Sequence, residues 1–165
     1  MTGTDTGVGK TLVAAALLRA AGASGARTIG LKPIASGAVA TAEGLRNEDA
    51  CALLAAMNQE LPYALVNPVV LAPAVAPHIA LAEAGLALDV AALHARCLPA
   101  LARPHDVAVV EGAGGWRVPL NHAETLADLA RRLGFPVVLV VGLRLGCINH
   151  ALLTAEAVRA DGLRL

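Results

Sequence analysis

The stretch Gly3-Thr4-Asp5-Thr6-Gly7-Val8-Gly9-Lys10-Thr11 decides the fold. Its glycines let consecutive backbone N–H groups curve toward one point, and such a ring of donors binds an anion. The residues after it, as far as about Ala21, are rich in Ala and Leu, so the loop opens a helix at Lys10. The positive N-terminal end of that helix faces the same point. In a loop of this kind Lys10 reaches the β- and γ-phosphates of a nucleoside triphosphate, and the Thr11 hydroxyl coordinates Mg2+. The usual pattern is Gly-x-x-x-x-Gly-Lys-Ser/Thr. Here Gly3 stands one residue early and Thr4 occupies the expected glycine position, but the Gly-Val-Gly-Lys-Thr core at 7–11 is intact.

Further along, strand and helix signals alternate. Arg27 to Leu31 reads as a short strand leading into Lys32-Pro33, and Pro33 blocks a helix directly after it. Residues 34–47 are expected to be loop. Glu48 to Met57 and Asp89 to Leu101 read as helices. Asp106-Val107-Ala108-Val109-Val110-Glu111 is a continuous apolar run closing on an acid, the pattern of a strand buried on both faces of a parallel sheet. Gly112 to Gly115 follow as a tight turn. Thr125 to Leu133 is predicted helical, with Thr125 and Asp128 spaced as a capping box. Pro136 to Val141 reads as a second apolar strand, Asn149 to Ala160 as a helix, and Leu163 onward as the start of another strand. This alternation implies an α/β fold of the P-loop NTPase kind, with a mostly parallel sheet flanked by helices. One such domain over residues 1–165 is expected. A phosphate loop normally follows a strand, yet only Met1 and Thr2 precede Gly3, so truncation at both ends is expected.

Composition narrows the classes. Hydrophobic residues make up 56% and charged residues 16% of the 165, which fits a globular chain. Aromatics are only 2%, so the core is expected to rely on Ala, Val, Leu and Ile, with some apolar surface covered by a partner subunit. Net charge is zero, which argues against nucleic acid or an anionic membrane as partner. The three cysteines, Cys51, Cys97 and Cys147, are too widely spaced for a disulfide framework or a zinc site and suit reduced thiols in a cytoplasm. The first residues are polar and Gly-rich, unlike a signal peptide. Leu61 to Ala82 carries no charged residue, but Pro62, Pro68, Pro73 and Pro77 interrupt it, so a proline-rich connection is expected rather than a membrane helix. Among the basic residues only Lys10 and Lys32 are lysines, against eleven arginines. Both sit in motifs where a compact, mobile ammonium has chemical use.

Glu111 ends its strand at the carboxyl edge of the sheet, where open α/β folds bind ligands, and reads either as a holder of Mg2+, directly or through water, or as a strand-ending acid facing water. Gly112, Ala113 and Gly114 bring bare backbone close by. Lys32-Pro33-Ile34-Ala35-Ser36-Gly37 follows the second strand at the same edge, where Lys32 reads either as a second ammonium near Lys10 or as a solvent-facing lysine at a strand end. Asp49, at the start of a short helix, reads either as a dipole-stabilised first-turn acid or as a metal ligand. Gly146 to Asn149 connects a strand to a helix, so its backbone N–H groups suit an anion such as a carboxylate.

Together these motifs resemble the dethiobiotin synthetase family. The resemblance rests on Gly3–Thr11, Lys32–Gly37, Gly44-Leu45-Arg46-Asn47-Glu48-Asp49-Ala50, Val66-Asn67-Pro68, Pro77-His78-Ile79, Val110–Trp116 and Gly146–His150, in the family's order. It implies a P-loop α/β domain that forms a homodimer. It also implies an ATP-dependent carbon–nitrogen ligase that closes the ureido ring of dethiobiotin from 7,8-diaminononanoate and CO2, through a carbamate and a carbamic–phosphoric anhydride. By the same resemblance Gly7, Val8, Gly9, Lys10, Thr11 and Leu12 bind the nucleotide, with Asp49, Glu111, Gly112, Ala113 and Gly114. Thr11, Asp49 and Glu111 hold Mg2+, and Lys10 and Lys32 are catalytic. Thr6 and Ser36 contact the substrate, and Gly146, Cys147, Ile148 and Asn149 take its carboxylate from the partner subunit. Related partitioning ATPases often carry a signature Lys early in the loop, where Asp5 stands here. A nucleotide-switch ATPase of that type and an inactive fragment are the alternative readings.

Overall fold

The computed structural model describes residues 1–165. The elements are β1 (Thr2–Gly3), α1 (Lys10–Ala23), β2 (Thr28–Leu31), β3 (Ile34–Ala35), β4 (Val39–Thr41), β5 (Gly44–Arg46), α2 (Glu48–Ala56), α3 (Tyr63–Val66), β6 (Val69–Val70), α4 (Pro77–Glu83), α5 (Val90–Leu101), β7 (Val107–Val110), α6 (Leu126–Leu133), β8 (Leu139–Val140) and α7 (Cys147–Ala160).

Three parallel pairings build the layer that carries the site: β2 with β7, β3 with β6, and β1 with β8. Backbone contacts join them. The Gly112 N–H donates to the Met1 carbonyl at 3.0 Å, which sets β1 beside the end of β7. The β2–β7 ladder runs in register from Thr28 opposite Val107 to Leu31 opposite Val110. Lys32 and Glu111 therefore emerge side by side at the carboxyl edge, where the Glu111 N–H donates to the Leu31 carbonyl at 2.8 Å.

Helices α1, α2, α3 and α5 cover β2 through a core of Leu18, Ile29, Leu31, Leu53, Val66 and Cys97, all fully buried. Small residues make this packing close, as the low aromatic content implies. A Cβ on Gly30 would lie 2.8 Å from Leu18 Cδ1 and 3.1 Å from Leu53 Cβ, so only glycine admits both helices at that point of β2. A second core, around Ile34, Leu81, Leu93 and Leu120, lies beneath α4, α5 and α6. The expected capping box is present: the Asp128 carboxylate accepts from the Thr125 N–H at 2.7 Å and from its hydroxyl at 2.8 Å. The three cysteines are unpaired, and burial pushes the Cys97 thiol up to about 11.

Five expectations need correction. Residues 34–47 are not a loop: β3 pairs with β6 in parallel, and β4 and β5 form an antiparallel hairpin. Its strands are largely exposed, so no apolar alternation marked them. The Leu61–Ala82 stretch is not a bare connection. Two of its four prolines sit at helix starts, Pro62 capping α3 and Pro77 opening α4, where a missing N–H costs nothing. The strand expected over Pro136–Val141 pairs only at Leu139–Val140. Helix α7 starts two residues before Asn149, and no strand begins at Leu163, although the Arg164 carbonyl accepts from the Val137 N–H at 2.7 Å. No helix is long and apolar enough to cross a membrane.

Candidate active site

The phosphate loop runs from β1 to α1 and turns through two left-handed glycines, Gly7 at φ 72° and Gly9 at φ 98°. A side chain at either would be strained, so the curvature that aims the backbone N–H groups depends on glycine. The loop forms one wall of a cleft of about 730 Å3. Thr6, Gly7, Gly9, Lys10, Thr11, Lys32, Ser36, Asp49, Glu111, Ala113 and Gly114 all line it. A separate cavity of about 480 Å3 between β7 and α6 is mainly aliphatic. The charged groups converge on the cleft.

At its floor four side chains interlock. The Lys32 ammonium donates to Asp49 Oδ2 at 2.7 Å, to Glu111 Oε1 at 2.7 Å and to the Gly112 carbonyl at 3.2 Å, which uses its three protons. Thr11 Oγ1 lies 2.7 Å from Asp49 Oδ1 and 2.8 Å from Glu111 Oε1. A hydroxyl has one proton, so it can serve only one of these carboxylates at a time. The other oxygen of Glu111, Oε2, is buried with no hydrogen-bond partner. An all-oxygen donor set with surplus acceptors and an orphaned carboxylate oxygen fits a hard divalent cation.

Electrostatics follow burial and charge. Burial opposes ionisation of Asp49, but the Lys32 ammonium and hydrogen bonds from Lys32 and Thr11 outweigh it and hold the carboxyl below the usual range. Burial, then the like charge of Lys32, lowers the pKa of Lys10 from the ordinary lysine value. Its ammonium is folded back onto the loop, donating to the Asp5 carbonyl at 2.8 Å.

Not every expected residue reaches the cleft. Leu12 is 77% exposed and points away. Val8 packs behind the loop, close to Gly142. Gly146, Cys147, Ile148 and Asn149 start α7 and do not line the cleft within one chain. Their turn is tied to the loop by an ion pair between Arg144 and Asp5. Sequence reasoning missed Asn47, which lines the cleft, and the buried Asn67 behind it. Asn67 had a signal: it is a lone amide in the uncharged stretch 61–82, and a buried amide needs partners.

A glycine-rich loop between a strand and a helix, facing a lysine and two carboxylates at the carboxyl edge of parallel strands, defines a P-loop nucleotide-binding domain. A family model described as an AAA domain matches residues 1–165. The chain is 57% identical over 163 residues to the ATP-dependent dethiobiotin synthetase BioD of Marinobacter nauticus, covering 99% of this chain and 70% of that protein. Against the enzyme of the same name from Pseudomonas paraeruginosa it is 59% identical over 165 residues, all of this chain and 72% of the relative. Against that from Xanthomonas campestris pv. campestris it is 53% identical over 164 residues, 99% of this chain and 73% of the relative. The chain belongs to the ATP-dependent dethiobiotin synthetase family.

Proposed function

We propose that this chain is an ATP-dependent ligase that closes the ureido ring of dethiobiotin from 7,8-diaminononanoate and CO2. The observation that carries the reading is the convergence of Lys32, Thr11, Asp49 and Glu111 opposite the phosphate loop. The names of the relatives give ATP and the product, dethiobiotin; the diamino acid and CO2 come from the family resemblance of the motifs. One amine of the diamino acid adds to CO2 and loses a proton, which gives a carbamate. A carbamate oxygen attacks the γ-phosphorus of ATP, the bond to ADP breaks, and a carbamic–phosphoric anhydride forms. The second amine attacks the anhydride carbon, phosphate leaves, and the ring is closed.

The chain's own groups suit each demand. The N–H groups at the start of α1 cradle phosphate oxygens. Lys10 leaves the Asp5 carbonyl and follows the transferring phosphoryl group. Lys32, fixed by two carboxylates, places positive charge where the carbamate and the phosphoryl oxygens meet, a preorganised arrangement that stabilises the transition state. Ser36, whose buried Oγ has no partner, contacts the reacting end of the diamino acid, as does Thr6. Thr11, Asp49 and Glu111 would hold Mg2+, which supplies charge neutralisation for the β- and γ-phosphates when bound.

A homodimer belongs to the same reading. Leu143, Leu145 and Ile148 are 94%, 106% and 73% exposed on the turn before α7 and in its first turn. Such a cluster suits burial against a second copy, which would deliver residues 146–149 to the partner's substrate carboxylate. ATP, Mg2+, bicarbonate and 7,8-diaminononanoate are expected to give dethiobiotin and one phosphate per ring closed, followed by mass spectrometry and phosphate release. ATP turnover indifferent to both the diamino acid and bicarbonate would refute the proposal.

A further inference from the structure

Behind the cleft wall, three side chains join the backbone segments that carry Lys32, Ser36 and Asp49. Asn67, 2% exposed, spends both amide protons on carbonyls: Lys32 O at 2.7 Å and Val69 O at 3.1 Å. Its Oδ1 must therefore accept, and the Tyr63 hydroxyl donates to it at 3.0 Å. The Tyr63 oxygen in turn accepts the Asn47 N–H at 2.7 Å. Asn47 then branches. Its Oδ1 caps α2 by accepting the Ala50 N–H at 3.3 Å, which orders the turn containing Asp49. Its Nδ2 donates to the Ser36 carbonyl at 3.3 Å. The Lys32 N–H also donates to the Val66 carbonyl at 2.8 Å, so the peptide groups on both sides of Lys32 are pinned by α3 and the residue after it. The Arg46 guanidinium lies 4.2 Å above the centre of the Tyr63 ring and holds it in place.

We propose that Tyr63 and Asn67, acting through Asn47, are positioning residues that hold Lys32, Ser36 and Asp49 in a single mutual register for the phosphoryl-transfer and ring-closing steps. This rests on the function proposed above. Neither Tyr63 nor Asn67 lines the cleft; both act through the backbone of residues that do. Every donor of the Asn67 and Tyr63 side chains is used, so the chain of bonds has one direction and no slack. A partly buried network with this many members paired is rigid, and a site displaced by about 1 Å loses about a hundredfold in rate.

The test compares Tyr63→Phe, which keeps the ring and removes two bonds, with Asn58→Ala. Asn58 bonds Thr28 N–H and Ala26 O, each at 2.8 Å, at the amino edge of β2, away from the cleft. Lys10 and Lys32 are the only lysines, so 13Cε-lysine labelling of the full chain yields one resonance for each. Tyr63→Phe is expected to lower kcat for ring closure about tenfold while the KM for ATP stays within about twofold. It should also move the Lys32 resonance and leave that of Lys10 in place. Asn58→Ala should lower the unfolding midpoint yet leave kcat and both resonances unchanged. A Tyr63→Phe protein with wild-type kcat and an unmoved Lys32 resonance overturns the proposal, as does an equal response to Asn58→Ala. If Tyr63→Phe fails to fold, Asn47→Ser keeps the helix cap and breaks the Ser36 tie; it should raise the KM for the diamino acid about tenfold with the ATP KM unchanged, and no change there overturns the proposal. If the wild type closes no ring, the functional reading falls, while the Lys32 resonance still decides the relay.

Discussion

The Lys32 ammonium meets the Glu111 carboxylate at 2.7 Å with both side chains sealed from water, 3% and 0% exposed. A charge pair this deep is costly to break on one side only, because the survivor stays buried and uncompensated. Lys32→Gln is expected to lower ring closure at least about a hundredfold while retaining most nucleotide binding. Lys32→Ala should lower unfolding free energy by about 3 kcal/mol. Steady-state kinetics, nucleotide titration and chemical denaturation check the three parts.

Asp49 links the site to acid stability. Its folded pKa lies below the unfolded value, the Lys32 ammonium and the bonds from Lys32 and Thr11 overcoming burial. A depressed carboxyl contributes stability that is fully present above the unfolded pKa and is lost as pH falls through the folded one. Melting temperature should therefore fall below about pH 4, and the fall should be shallower in Asp49→Asn. Thermal unfolding of both proteins from pH 7 to pH 3 measures this; parallel curves would refute it.

Thr11 shares its single hydroxyl proton between two carboxylate oxygens. Thr11→Val removes that group with little change in volume. We expect Mg·ATP affinity to fall about tenfold or more, and metal-free ATP affinity to change less than about threefold. Calorimetric titration with and without EDTA separates the two.

Gly30 is the contact point of two helices and a strand. Gly30→Ala places a methyl group against Leu18 and the Cβ of Leu53, and Leu53 cannot move without α2. A loss of about 1–3 kcal/mol in unfolding free energy is expected, read from denaturant midpoints.

The exposed aliphatic residues around 145 test the dimer. Leu145→Asp with Ile148→Asp should weaken self-association about a hundredfold, seen by light scattering as a shift from dimer to monomer. Ring closure should fall with it, and nucleotide binding should not. A wild type that is monomeric at all concentrations would remove the dimer from the reading.

Much of this architecture was legible because it is local. The phosphate loop declares itself through glycine geometry and the helix that follows. The strands β2 and β7 declare themselves as short apolar runs ending in Lys32 and Glu111, and those endings put both groups at the carboxyl edge. The β4–β5 hairpin and the short helices among the prolines were not legible, since exposed strands lack a buried face and helices of four and seven residues are too short to show a period. The network of Asn47, Tyr63 and Asn67 was hidden for another reason: its members matter through partners distant in sequence.

From the sequence alone come which groups are present, a phosphate-binding turn leading into a helix, and the edge of a parallel sheet that the charged residues occupy. That they touch follows from the folded chain. Lys32 and Glu111 are 79 residues apart, and no tight turn joins β2 to β7 to set their register. A slip of one residue in either strand would turn its charged group to the opposite face and part the pair. The pairing of Leu31 with Val110 is selected by the packing of α1, α2 and α5 against the sheet, a sum of many small contacts that no short motif records.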